Sequence, residues 1–175
     1  TVASCRRVFP SARVVLGGNF ATLCPEEAGQ LGADQVVSGD IPGAEFLPAA
    51  IDLSLDGTSP DFVRMIKGCP NNCSYCVTNY LNAGRVATRD PNEVIAEIEA
   101  KRRQYGTRYF IFYDDFVMFR HGRFLDPFLD RVAASGLDLE IEFALGFAAH
   151  MVTEALADRL RAAGESVRGP LPADT

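Results

Sequence analysis

Three cysteines lie close together near the middle of this 175-residue sequence. Cys69, Cys73 and Cys76 are separated by three and then by two residues. A loop of that length can wrap three thiolates around one cubane iron-sulfur cluster and leave the fourth iron without a protein ligand. Gly68 before the first cysteine permits a close approach of the backbone. The spacing therefore predicts a metal centre with one open iron, at which a small molecule can bind and react.

Two other kinds of metal site also use clustered cysteines. A structural zinc site needs a fourth ligand to complete a tetrahedron, and the candidates elsewhere in the chain are Cys5, Cys24, His121 and His150. None of these stands at zinc-finger spacing from the motif. An electron-transfer ferredoxin is the second alternative, but no further Cys-Pro pair follows the motif at the distance that such clusters use. Both alternatives stay open, and the open-iron cluster is the favoured interpretation.

Strands and helices alternate around and after the cysteines. Apolar runs predict strands at 62–66, 109–113 and 139–145, and the cysteine loop follows the first of them directly. Asp-Pro pairs predict that helices begin at Asp90 and Asp126. Because the second apolar run contains almost no polar residue, we expect that strand to be covered on both sides. Three successive strand-helix pairs predict a parallel sheet with right-handed crossovers, which amounts to half a barrel.

A shorter strand-helix-strand unit precedes this region. Apolar residues at 14–16 run into paired glycines, a helix is expected over 25–31, and a second apolar run at 35–37 ends near Gly39. This order is one unit of an α/β sheet. The segment that follows is rich in proline and contains glycine, so we predict a linker there. The predicted division is an α/β domain tail, a linker and a barrel half, at residues 1–40, 41–60 and 61–175.

The cysteine motif resembles the signature of a known family. Cys-x3-Cys-x2-Cys, with Tyr75 as the aromatic residue before the last cysteine, resembles the signature of radical S-adenosylmethionine (SAM) enzymes. The resemblance implies that Cys69, Cys73 and Cys76 hold a 4Fe-4S cluster and that SAM chelates the open iron, with its adenine beside Tyr75. In this family, one electron cleaves SAM to a 5′-deoxyadenosyl radical, which abstracts hydrogen from the substrate.

The resemblance also suggests a role for the acidic pair after the second barrel strand. Family members hold the amino group of SAM at this place, and here Asp114 and Asp115 occupy it. Carboxylates accept strong charge-assisted hydrogen bonds from an ammonium group. The pair departs from the family's Gly-Gly-Glu form, and carboxylates also commonly end strands as turn formers. The contact with SAM is the favoured interpretation, without a distinction between the two residues.

The amino-terminal residues resemble the later half of a cobalamin-binding domain. Such a domain precedes the barrel in many radical SAM methyltransferases and cyclases, and its glycine loops pass near the nucleotide tail of cobalamin. The resemblance implies Gly17, Gly18 and Gly39 as cofactor contacts, although glycine after a strand is ordinary in any doubly wound sheet. It implies an α/β fold class, in which the tail of a doubly wound cobalamin-binding-like domain is followed by the first half of a partial (β/α) radical SAM barrel.

Composition and charge indicate which classes of partner the chain is expected to bind. The net charge is −6 with basic and acidic residues mixed, so no basic patch predicts a nucleic-acid partner. No apolar stretch approaches the ~20 residues of a membrane-spanning helix. Three cysteines within eight residues favour metal binding in a reducing cytoplasm. The resemblance adds a small-molecule substrate and a one-electron donor such as a flavodoxin or ferredoxin. A start at Thr1 and a loop-like end lead us to expect a fragment cut at both ends.

Overall fold

The structure is a computed structural model that describes residues 1–39 and 60–163. Positions 41–59 of the predicted linker lie outside these residues. The amino-terminal elements are α1 (Val2–Val8), β1 (Val15–Leu16), α2 (Asn19–Leu23), α3 (Pro25–Gly29) and β2 (Gln35–Val36). The elements after the linker are β3 (Asp61–Val63), β4 (Ile66–Lys67), α4 (Thr78–Leu81), β5 (Ala87–Thr88), α5 (Pro91–Tyr105), β6 (Tyr109–Phe112), α6 (Leu125–Ser135), β7 (Glu140–Phe143), a 3-10 turn (Ala149–Met151) and α7 (Glu154–Ala163).

The amino-terminal elements form a small parallel unit. β1 and β2 pair in parallel, with Leu16 opposite Val36, as the two apolar runs predict. Asp34 fastens the start of β1, because its carboxylate accepts a hydrogen bond from the Val14 N–H at 2.7 Å and pairs with Arg6 at 2.9 Å. The two short helices α1 and α2 were not predicted. Both present mostly exposed residues, so the sequence offers no apolar stripe that would reveal them.

A three-stranded parallel sheet carries the larger part of the chain. Its strand order is β3, β6, β7, and Val63 lies opposite Phe112, which in turn lies opposite Phe143. Helix α5 returns the chain to the start of β6 and α6 returns it to the start of β7, as parallel pairing requires, and α7 follows β7. The predicted α/β class with parallel strands is confirmed. The proposed division into two domains and a linker stays a prediction.

Helices cover one face of this sheet and leave the other half-exposed. Phe110, Phe112, Ile141 and Phe143 are at most 1% exposed and pack among the side chains of α5, α6 and α7. The alternate residues in β6 and β7 point to the opposite face and are half-buried. Within residues 1–39 and 60–163, the second strand is therefore covered on one face only, which differs from the predicted coverage of both faces. A nearly unbroken apolar run does not reveal this difference, because Tyr109 and Ile111 suit a half-covered face as well.

The first predicted barrel strand is broken into two short strands. β3 ends at Val63, and β4 then pairs in antiparallel fashion with β5 instead of continuing the main sheet. The break falls at Arg64 and Met65, and the N–H groups of Met65 and of Ile66, the first residue of β4, both donate to Asp114 rather than to a neighbouring strand. A continuous apolar run cannot show this break, because its cause is a side chain almost fifty residues away.

Helix α5 begins as the sequence predicts, while α6 begins differently. Asp90 caps α5 by accepting a hydrogen bond from the Asn92 N–H at 2.8 Å. Asp126 does not cap α6, because the helix already begins at Leu125 and Asp126 lies within its first turn, 3.2 Å from His121 Nδ1. None of the helices within residues 1–39 and 60–163 has the length and apolar character needed to cross a bilayer.

Phe128 is the best position at which to test the core. Its ring lies 5.0 Å from that of Phe112 and is fully buried between α6 and the sheet. Phe128→Ala should lower the free energy of unfolding by about 3–5 kcal/mol, since it removes a large side chain from a packed interior. Thermal unfolding followed by circular dichroism measures the change. Arg131→Ala, on the exposed face of the same helix, is the control, and an equal loss in both variants would contradict this core.

Candidate metal and cofactor site

The cysteine loop connects β4 to α4 at the carboxyl end of the sheet. Cys69 is half-buried, whereas Cys73 and Cys76 are exposed, and all three are free thiols. The loop contains a turn in which the Cys76 N–H donates to the Cys73 carbonyl at 3.0 Å. This turn draws the second and third cysteines together. The loop therefore offers three reduced sulfurs from one short segment, the donor set that iron-sulfur clusters use.

Neighbouring groups change the acidity of two of these thiols. Burial is the main cause that raises the pKa of Cys69, and negative charge on Cys73 and Cys76 raises it further. The Thr78 hydroxyl is the main cause that lowers the pKa of Cys76, with a second contribution from the Thr78 backbone N–H. Because the thiolate is the metal-binding form of cysteine, Cys76 is the better prepared ligand of the two.

Tyr75 lies on the outside of the loop. Its side chain is 90% exposed, and a hydrogen bond with Cys73 is the main cause that raises the pKa of its phenol. The aromatic residue before the last cysteine thus has one face free. A planar group such as adenine could stack against it.

Gly68 holds the start of the loop in a conformation that other residues avoid. Its φ is +90°, and a Cβ at this position would overlap the backbone carbonyl oxygen of Arg85. Its N–H donates to Asp115 Oδ2 at 2.6 Å. Cys69 therefore follows a backbone position that is fixed by close packing on one side and by a carboxylate on the other.

The structure places Asp114 and Asp115 in different surroundings. Asp114 is 3% exposed, and its Oδ1 accepts hydrogen bonds from the N–H groups of Met65 and Ile66, each at 2.7 Å. Its other oxygen is buried and has no hydrogen-bond partner among residues 1–39 and 60–163. Burial is the main cause that raises the pKa of Asp114 to about 6. Asp115, by contrast, is half-buried and borders a cavity.

That cavity has a volume of about 260 Å³ and lies between the amino-terminal unit and the cysteine loop. Gly18 and Gly39 contribute to one wall, and Arg64, Lys67 and Asp115 contribute to the other. Gly17 lies outside the lining. The structure thus brings two of the three predicted glycine contacts close to the residues that flank the first cysteine.

Thr22 also lines the cavity and connects the two glycine loops. Its hydroxyl donates to the Gly18 carbonyl and accepts from the Gly39 N–H, each at 2.9 Å. Thr22, Arg64 and Lys67 were not predicted as site residues. Nothing in their local sequence indicates the role, because only the tertiary structure places residues 18–39 beside residues 64–67.

No side chains of the described part are already arranged as a metal site. Within residues 1–39 and 60–163, no three His, Cys, Asp or Glu side chains converge on a point where a metal ion could be held. The three sulfurs share a loop without converging, and neither histidine nor either outlying cysteine joins them. Thiolate sites commonly form only as metal binds, since binding is coupled to local folding. The donor set and the fixed glycine fit a cluster, while its ligand assignment stays a prediction.

Comparison with known sequences identifies the family. The sequence model of the Radical SAM superfamily matches residues 63–172, which is more than half of the chain and includes the three cysteines. The chain belongs to the radical SAM superfamily. The resemblance read from the cysteine motif is thereby confirmed, and with it the 4Fe-4S cluster and SAM as the cofactors of this family.

A curated relative of this radical SAM chain is tRNA-2-methylthio-N(6)-dimethylallyladenosine synthase from Dictyoglomus thermophilum. The two are 32% identical over 93 residues, which cover 52% of this chain and 21% of the relative. The chain therefore spans about a fifth of the relative's length.

Two solved structures of the radical SAM methyltransferase TsrM from Kitasatospora setae share its fold. The form with cobalamin and a 4Fe-4S cluster matches at a TM-score of 0.52 and 21% identity, over 59% of this chain and 20% of TsrM. The form with tryptophan and the SAM analogue aza-SAM matches at a TM-score of 0.54 and 20% identity, over 62% of this chain and 21% of TsrM. The likeness supports the α/β class predicted for this radical SAM chain.

Gly68→Ala tests the fixed start of the cysteine loop. The added methyl group must displace the Arg85 carbonyl, and the alanine must adopt a positive φ. We therefore expect a loss of about 2–5 kcal/mol in the free energy of unfolding. Gly106→Ala is the matched control, because Gly106 has a φ of +74° but no atom within 4 Å of an added Cβ. It should cost about 1–2 kcal/mol. Equal thermal shifts for the two variants would show that the Arg85 contact is unimportant.

Asp114 should make the stability of the iron-free protein depend on pH. Its pKa is higher in the folded chain than its ordinary value of 3.8, so the protonated form is favoured by folding. That stability is fully present below about pH 4 and is lost as the pH rises through about 6, by roughly 3 kcal/mol. Thermal midpoints measured across this range should fall more in the wild type than in Asp114→Asn. Parallel curves for the two proteins would contradict the raised pKa.

Proposed function

We propose that this chain is part of a radical SAM enzyme that holds a 4Fe-4S cluster on Cys69, Cys73 and Cys76. When bound, the cluster supplies the electron that cleaves SAM reductively and starts a radical reaction on a small-molecule substrate. The observation that carries the proposal is the family match across a loop with three free cysteines. The loop lies at the carboxyl ends of parallel strands, where α/β proteins commonly bind their ligands.

The residues around the loop support distinct tasks. Hydrogen bonds from Thr78 lower the pKa of Cys76, which favours the thiolate that a cluster needs. Tyr75 offers an exposed ring for the adenine of SAM. Asp115 borders the cavity beside the loop and is the member of the acidic pair that a bound cofactor can reach. Contact between Asp115 and the methionine end of SAM is therefore part of the proposal.

Cobalamin-dependent methyl transfer is the reaction that we favour within this class, with cyclisation as the alternative. The predicted glycine loops support this reaction. Gly18 and Gly39 line the cavity, and the Thr22 hydroxyl bonds to both residues. TsrM, whose fold is similar, binds cobalamin. The cavity of about 260 Å³ is smaller than the ~300–1,000 Å³ typical of ligand pockets, so it suits only part of a large cofactor. Gly17 is a proposed contact outside its present lining.

The surroundings of the loop are compatible with an external electron donor. Cys73, Cys76 and Tyr75 are exposed, so a flavodoxin or ferredoxin could approach the cluster from that side. We propose a cytoplasmic location because free, clustered thiols persist in a reducing compartment. No membrane partner is proposed.

Modification of tRNA is the second candidate, because the curated relative at 32% identity is a tRNA methylthiolation enzyme. Binding of tRNA depends on neutralising phosphates with Lys and Arg. The net charge of −6 gives this chain no large basic footprint. A small-molecule substrate is therefore favoured for the stretch represented here.

Anaerobic reconstitution tests the proposal. The full-length protein, treated with ferrous iron and sulfide, should acquire the brown charge-transfer absorbance of an iron-sulfur cluster. With dithionite and SAM, it should then form 5′-deoxyadenosine, measured by liquid chromatography. Cys69→Ser, Cys73→Ser and Cys76→Ser should each abolish nucleoside formation, since a lost thiolate removes one of three ligands.

Cys5→Ser and Cys24→Ser are the matched controls, because both cysteines lie outside the loop. They should retain colour and activity. A protein that binds zinc without colour and forms no 5′-deoxyadenosine would instead establish the structural zinc alternative.

A further inference from the structure

The acidic pair after β6 contacts three backbone N–H groups in the segment that leads to the cluster loop. Asp114 Oδ1 accepts from Met65 and Ile66, and Asp115 Oδ2 accepts from Gly68. All three donors belong to residues that are buried. A buried N–H without an acceptor is unfavourable. The two carboxylates therefore satisfy donors that no strand pairing satisfies.

These bonds determine where the chain turns out of the sheet. In a regular strand, successive N–H groups point to opposite sides, so a single oxygen cannot accept from both. Asp114 receives the N–H groups of two consecutive residues, and the chain changes direction there from β3 to β4. Asp115 then fixes Gly68, the residue directly before Cys69. The direction of the first cysteine thus depends on two side chains at the end of the neighbouring strand.

Burial separates this role from direct contact with a cofactor. Asp114 is 3% exposed, so a bound molecule cannot reach it without rearrangement of the core. Asp115 is half-buried, but the oxygen that holds Gly68 is already engaged at 2.6 Å. A contact with the ammonium group of SAM would use its other oxygen and leave this bond in place.

We propose that Asp114 and Asp115 are positioning residues that fix the backbone from Met65 to Cys69, so that the Cys69 thiolate can join the cluster. The proposal rests on the proposed function, since it explains how the first cluster ligand is aimed. It is separate from the proposed contact of Asp115 with the methionine end of SAM, which would use the other oxygen of Asp115. The carboxylates act through hydrogen-bond acceptance, and their negative charge is not required.

The test separates hydrogen-bond acceptance from charge and from size. In the full-length protein, Asp114→Asn and Asp115→Asn keep an oxygen acceptor, whereas Asp114→Leu and Asp115→Ala remove it. Iron affinity during anaerobic reconstitution should fall roughly tenfold in the Leu and Ala variants, as expected for the loss of one hydrogen bond. The two Asn variants should bind iron as the wild type does. The electron paramagnetic resonance line shape of the reduced cluster should broaden only where the acceptor is lost.

Leu156→Ala is the control for general destabilisation. It removes a fully buried side chain from α7, which follows the edge strand β7 and packs against α6, and should lower the thermal midpoint without changing iron affinity or line shape. If Leu156→Ala weakens iron binding as much as Asp115→Ala does, the positioning role is overturned.

Two further outcomes keep the proposals distinct. If the wild type forms no cluster, the proposed function fails. If all variants load iron normally but the Asn variants lose the change in the resonance spectrum on addition of SAM, the pair binds the ammonium group through charge and the positioning proposal fails.

Discussion

Two consecutive carboxylates at the end of β6 support the whole approach to the cysteine loop. Asp114 and Asp115 accept hydrogen bonds from N–H groups in the segment between β3 and the first cysteine. The main sheet loses β3 as a partner after Val63, so this segment has no ladder of its own on that side. Side-chain acceptors replace strand pairing at the point where the chain must leave the sheet. The loop can then be both irregular and anchored, a combination that ligand-binding loops require.

The sheet itself explains why the anchor is rigid. β6 lies between β3 and β7, and its inward residues Phe110 and Phe112 are buried against the helices. A residue placed directly after such a strand inherits its fixed position. Parallel pairing also brings the carboxyl ends of β3 and β6 to the same edge, so the acidic pair meets the cysteine segment without a long connection.

Much of this arrangement could be predicted from the sequence, and the failures have specific physical causes. The cysteine motif was legible because its three ligands lie within eight residues, so local spacing alone specifies the chemistry. Helix α5 was legible because Asp90, Pro91 and Gly106 act on their immediate neighbours. The break after Val63 could not be predicted, because the hydrogen-bond acceptor for the Met65 and Ile66 N–H groups is distant in sequence. The coverage of only one face of β6 could not be predicted either, because both faces of this strand carry apolar residues.

The different surroundings of Asp114 and Asp115 also could not be predicted from the sequence. Adjacent aspartates look equivalent in the sequence, yet opposite orientation at the strand end buries Asp114 and leaves Asp115 at the cavity. The cavity residues Arg64 and Lys67 were also missed, since a cation before a cysteine motif has no local signature. Their grouping with Gly18 and Gly39 depends on how separate parts of the chain pack.

The cavity with two walls has a thermodynamic consequence. Gly18 and Gly39 come from one end of the chain, whereas Arg64, Lys67 and Asp115 come from the sheet region. An occupant that touches both walls is bound tightly only when the walls are correctly spaced, so occupancy and the docking of the two regions favour each other by linkage. A bound occupant would then make local opening of the amino-terminal unit less favourable and would protect its amides from hydrogen exchange.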